Sequence, residues 1–168
     1  MAELSQESKA ISNGELQLVV FSIGSEEFGV EIMNVQEIIR MTNITRIPQA
    51  PDYIRGIINL RGRIIVVINL NVVLGMQSKE QDENTRIIVV SIGDTVMGFV
   101  VDSVSEVIRL SQKNVEPAPA VIADKVGTEY AVGVGKLDNR LLILLNLRKV
   151  LGNRELHSIK GISAEAEC

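Results

Sequence analysis

Apolar residues gather along the chain in short runs broken by polar or glycine-containing stretches. The run lengths, and their bias to Val and Ile, predict strands. Leu16–Ile23 reads as a strand, Gly24-Ser25-Glu26-Glu27 as a turn and Phe28–Ile32 as its hairpin partner. Gln36–Met41 is a further strand, and Ile44 to Tyr53, holding Pro48 and Pro51, an irregular connection. Ile54–Leu60 and Arg63–Ile68 are strands joined at Arg61-Gly62. Leu70–Leu74 reads as one helical turn, with Gly75 as its C-terminal stop. The same order returns at 86–92, 96–101, 105–110, 130–137 and 140–145, followed by a turn ending at Gly152. Ile64–Ile68 and Leu141–Leu145 are continuously apolar, which predicts burial on both faces.

The recurrence is a repeat at residue level. Val20, Ser22-Ile23-Gly24, Gly29, Val35, Glu37, Ile39 and Arg40 return 69 positions later as Val89, Ser91-Ile92-Gly93, Gly98, Val104, Glu106, Ile108 and Arg109. Asn69-Leu70 and Val73-Leu74-Gly75 return 77 positions later as Asn146-Leu147 and Val150-Leu151-Gly152, as do Gly56 and Arg63 at Gly133 and Arg140. The offset grows within about 110–131, where Pro117, Pro119 and an alanine cluster predict a loop insertion. The expected organisation is a flexible N-terminus over 1–15, repeat units at about 16–75 and 86–152, and a tail over 153–168. Gln77 to Thr85 connects the halves as a polar linker or exposed hairpin. Five short strands per half suffice to close a small barrel and remove exposed sheet edges. The fold class expected is therefore all-β, two five-stranded barrels with short helical turns. A single large β-sandwich is the alternative.

Composition narrows the function. Val and Ile number 21 each among 168 residues, whereas aromatic residues are 3% and Trp is absent. The only histidine is His157 and the only cysteine Cys168. A Ser/His/Asp triad, a Cys/His dyad, a histidine-based metal site or a disulfide framework would each need residues that the body of the chain lacks. Gly133-Val134-Gly135-Lys136 has the wrong spacing for a phosphate loop. No catalytic residue, cofactor or metal is therefore expected. A net charge of −4 offers no overall positive field to nucleic acid. No signal peptide and no apolar run long enough to insert in a membrane is visible, so a cytoplasmic setting is expected.

Three features could carry function. Gly56 reads as a bulge or a close backbone approach, and Gly62 as a turn residue of positive φ. Arg61 would then project where a guanidinium can grip a carboxylate, or else pin a loop through backbone carbonyls. Between Arg40 and Arg63 five arginines face one acid, Asp52, so this segment is basic on an acidic chain. It suits an acidic partner surface, or ordinary pairing with Glu31 or Glu37. Val35–Met41 and its echo Val104–Leu110 hold more aliphatic residues than one buried face needs. They could form a recognition patch or pack one barrel on the other.

In combination the motifs resemble the CheW family of bacterial chemotaxis coupling proteins. They are Gly29–Ile32 with Val35–Ile38, Arg46-Ile47-Pro48, Gly56, Asn59-Leu60-Arg61-Gly62 and Ile68-Asn69-Leu70, then Gly98, Val100-Val101-Asp102, Val104–Val107 and Pro117-Ala118-Pro119. The resemblance covers about 16–152, departing at Asn69, where the family often has Asp. It implies two SH3-like barrels and a non-enzymatic adaptor between methyl-accepting chemotaxis receptors and the histidine kinase CheA. The partners implied are the kinase's regulatory domain and the receptor's cytoplasmic tip, and the setting is cytoplasmic, with recruitment to membrane receptor arrays through those partners. Carried over by residue, the receptor-contact region falls on Val35, Glu37, Ile38, Gly56, Arg61, Val104 and Val107. The kinase contacts cannot be placed by residue. A CheW-like module of a larger kinase or receiver-fused protein is the nearest alternative, against which Met1 and the tail argue. A small-molecule-binding barrel is the other.

Overall fold

The computed structural model describes residues 14–77, 80–117 and 131–150. The expected flexible ends and the loop insertion expected within about 110–131 lie mostly outside these residues, and His157 and Cys168 wholly so. In the first repeat, strands are β1 (Glu15–Ile23), β2 (Glu26–Glu31), β3 (Val35–Arg40), β4 (Ile54–Leu60) and β5 (Arg63–Asn69), followed by a helical turn at Leu70–Val73. The second gives β6 (Arg86–Ile92), β7 (Thr95–Val101), β8 (Ser103–Ser111), a two-residue β9 (Val115–Glu116), β10 (Ala131–Leu137) and β11 (Arg140–Leu145), then a turn at Leu147–Val150. Only β9 escapes the hydrophobic pattern, because two residues carry no periodicity. The polar stretch before β6 is a connector closed by a turn, with Asp82 N donating to Thr85 Oγ1 at 2.9 Å.

The two sheets do not follow the two halves. One sheet runs β8-β1-β2-β11-β10-β9 and the other β3-β6-β7-β5-β4. The first hairpin of each repeat thus completes the sheet built by the other repeat. The exchange is symmetric to the residue. Val67 pairs with Gly98 in the parallel β5–β7 ladder, as Leu144 pairs with Gly29 between β11 and β2. Glu37 pairs with Val89 beside a bulge in β3, as Glu106 pairs with Val20 beside the bulge of the β1–β8 ladder. Antiparallel hairpins need only short turns, whereas the parallel ladders need a long crossover. The exchange supplies that crossover between repeats.

Each sheet closes on itself. Strands β8 and β9 lie at opposite edges of their sheet, yet only the 3-10 turn Gln112–Asn114 separates them in sequence. The sheet must curl for three residues to join its edges. In the other sheet, Thr45 bridges to Ile57 outside β4, and β3 at the far edge ends only a few residues earlier.

Side chains alternate between two destinations. Leu18, Val20, Leu110, Leu142 and Leu144 fill one barrel, and Ile58, Ile65, Val67, Ile87, Val89 and Val96 fill the other. Their alternating neighbours, among them Val19, Phe21, Val66, Ile68, Ile88, Val90 and Ile143, enter a third cluster between the barrels. That shared cluster has 19 buried members and holds all three phenylalanines, with Phe21 and Phe28 stacked at 5.6 Å. For this reason Ile65–Ile68 in β5 and Leu142–Leu145 in β11 are buried on both faces, whereas Leu141, at the start of its run, is exposed.

Candidate functional site

The β4–β5 turn is tightly constrained. Leu60 pairs with Arg63, leaving Arg61 and Gly62 as a two-residue connection. Both have positive φ, +53° and +86°. This is the φ pattern of a type I′ turn, whose hand matches the twist of the strands. Gly62 adopts it freely, and its N–H is held by Asn59 Oδ1 at 2.8 Å. Arg61 holds it against the steric preference of an L side chain.

That conformation aims Arg61 across the barrel seam. Its Nη1 donates to Glu37 Oε1 at 3.1 Å and its Nη2 to Glu37 Oε2, a two-pronged grip. Glu37 lies on β3 and the turn adjoins β4, the two opposite edges of one sheet. The pair therefore straps the barrel shut. Hydrogen bonding from Arg61 lowers the Glu37 carboxyl from its ordinary value against the opposing effect of burial, and the Arg61 charge adds to the lowering. The same hydrogen bond raises the Arg61 guanidinium. The Arg61 side chain remains 71% exposed, so this pair lies where a partner can touch it.

The other expected residues fall into three settings. Ile38 and Val107, repeat counterparts on β3 and β8, are 36% and 48% exposed. Val35 and Val104, also counterparts, are half-buried and pack against the shared cluster. Gly56 is buried in a bulge at φ +150°, where a β-carbon would lie 2.3 Å from the Thr45 carbonyl oxygen. It seats the Thr45 segment on β4 and presents no side chain to a partner. Of the five basic residues, Arg61 is paired with Glu37 and the half-buried Arg55 reaches Gln81 Oε1 at 2.6 Å. Arg40, Arg46 and Arg63 are exposed and make no ion pair with a described residue.

Sequence reasoning missed the counterpart strap. Glu106, the repeat image of Glu37, receives Arg140 Nη2 at 3.0 Å, and Arg140 Nη1 lies 3.6 Å from Glu27. Arg140 is the image of Arg63, not of Arg61, whose own counterpart is Asp138. The 77-residue offset contained this signal. Asp102 was noted only as part of a motif, and its role went unread: its carboxylate accepts the Gly24 N–H at 2.7 Å and ties the first hairpin to the end of β7. One small cleft of about 150 Å³ opens at the β8-containing barrel between Leu16, Glu31, Val132 and Asn146. It is smaller than the roughly 300–1,000 Å³ of ligand pockets. Among the described residues no helix is long and apolar enough to cross a membrane.

Filled barrels, edge strands with exposed aliphatic residues and a charged strap define a class, a β protein built to present surfaces. Comparison with known proteins supplies the particular family. Residues 17–155 match the family model described as CheW-like domain. The chemotaxis protein CheW of Klebsiella aerogenes is 40% identical over 147 residues, covering 88% of each chain. That of Helicobacter pylori is 36% identical over 150 residues, covering 89% of this chain and 90% of the relative. The crystal structure of the scaffolding protein TtCheW from Thermoanaerobacter tengcongensis superposes with a TM-score of 0.75 at 36% identity, covering 82% of this chain and 88% of that one. The chain belongs to the CheW family, and its function is that of a chemotaxis scaffold, an adaptor.

Proposed function

We propose that the chain couples methyl-accepting chemotaxis receptors to the histidine kinase CheA, acting through surfaces and without chemistry of its own. The receptor's cytoplasmic tip docks where β3 and β8 leave the seam between barrels. Val35 and Val104 form the floor, Ile38 and Val107 the apolar contacts, and Glu37 with Arg61 a charged rim. Gly56 acts indirectly, by seating the chain that supports β4. The kinase binds elsewhere through its own regulatory domain, and receptor state reaches it as shifts in packing at these contacts.

The observation that carries this reading is the paired exposure of Ile38 and Val107. Exposed β-branched residues at matching positions of two edge strands have no role in either core. Apolar contacts ringed by charge suit a helical element laid across both barrels. The test is Arg61→Glu in a reconstitution of kinase, receptor fragment and this protein. Receptor-dependent kinase activation is expected to fall about tenfold or more while the variant stays folded. Unchanged activation by a folded variant would remove the strap from the site.

A further inference from the structure

We infer that Arg40 and Arg109 are twin cationic anchors, selecting a partner whose apolar ridge is flanked by carboxylates on both sides. This rests on the reading of β3 and β8 as the receptor-docking face and deepens it by naming the partner's charge pattern.

The two arginines are repeat counterparts, each two residues beyond an exposed aliphatic residue. Along β3, Gln36, Ile38 and Arg40 are the exposed set. On β8, Val107 and Arg109 repeat the last two of these, with Leu110 turned into the barrel. Residues i and i+2 share a face and stand about 7 Å apart along a strand. Each edge strand thus offers one aliphatic contact followed by one cation. Both strands begin at the shared cluster, through Val35 and Val104. The charges therefore sit on the far side of the apolar contacts, one on each barrel.

Neither arginine has a charge partner among the described residues. Arg40 stands opposite Arg86 in the β3–β6 ladder, a like-charge pairing that disfavours the sheet. Arg86 turns aside to the carbonyls of Glu83 and Thr85, at 2.8 and 3.0 Å. The Arg40 guanidinium has no hydrogen bond or ion pair with a described residue. Arg109 stands opposite Gln17 and is equally free among the described residues. Two solvated, matched guanidiniums on an acidic protein favour carboxylates placed at both edges of one docked element.

The test measures binding of the full-length protein to a receptor signalling-tip fragment at low and high salt. Arg40→Glu and Arg109→Glu are made singly and together, with Arg40→Gln and Arg109→Gln as milder changes. Each reversal should weaken binding about tenfold at low salt, the double about a hundredfold, with less salt dependence at each step. Binding to the isolated kinase regulatory domain should not change. Unchanged receptor binding in the charge variants, with loss in Ile38→Asp and Val107→Asp, would overturn the anchor role but keep the docking face. Such a result would leave the arginines as guards against pairing between exposed sheet edges. Unchanged binding in all of these variants would overturn the docking face itself.

Discussion

At the scale of the residue, the strap between Arg61 and Glu37 depends on a backbone conformation that arginine adopts reluctantly. The turn needs positive φ at both central positions, and Asn or Gly would satisfy it at less cost. An arginine there makes sense when its side chain has work across the seam. Protonation state follows from the contact. A depressed Glu37 pKa means that the pair contributes fully above the ordinary value of 4.5 and is lost as pH falls through the lower folded value. Titration followed by carboxyl-carbon NMR should place the Glu37 midpoint lower in the parent protein than in Arg61→Gln. Equal midpoints would show that the strap does not form in solution. At Gly56 the expectation is structural. Gly56→Ala meets the Thr45 carbonyl and should cost about 1–3 kcal/mol in denaturant unfolding. Both Arg61 and Glu37 were legible as candidates in the sequence. Pairing of the basic segment with Glu31 or Glu37 was one alternative, but which arginine makes it was not legible, since 24 residues separate Arg61 from Glu37 and only closure of the seam brings them together.

At the scale of the element, β4, β6 and β11 were readable to the residue, and the others except β9 to within two. Alternation and β-branched runs specify strands strongly when each face of the strand has its own core. That the two barrels intertwine was expected, but which hairpins they exchange was not legible. A repeat reveals which strands are alike, but not which copies pair, since β1 and β6 carry nearly the same pattern. What selects the exchanged pairing is the third cluster. Phe21, Phe28 and Phe99 from the two first hairpins must all reach the space between barrels. Truncating the central one should be severe, and Phe99→Ala is expected to cost about 3–5 kcal/mol by denaturant unfolding. A loss below 1 kcal/mol would mean that the inter-barrel cluster is not a packed core. The exchange also implies that neither half folds by itself. Fragments divided between residues 78 and 79 should each be unfolded by circular dichroism and regain strand structure on mixing.

At the scale of the molecule, the shared cluster outnumbers the two barrel interiors together, 19 buried residues against 6 and 5. The abundance of Val and Ile is therefore an abundance of interface. One calorimetric transition is expected, because neither barrel can lose its borrowed hairpin and remain closed. Two separated transitions would contradict the shared core. Val35 on β3 and Val104 on β8 both pack against the shared cluster, so an edge strand of each barrel is anchored in the same core.

The most direct measurement is the autophosphorylation rate of the cognate kinase, reconstituted with receptor fragment and with or without this protein. The rate should rise only when all three components are present, and Ile38→Asp with Val107→Asp should abolish the rise while binding to the kinase regulatory domain persists. A kinase activated equally by receptor alone, or equally by the doubly substituted protein, would contradict the assignment of receptor coupling to the β3 and β8 face.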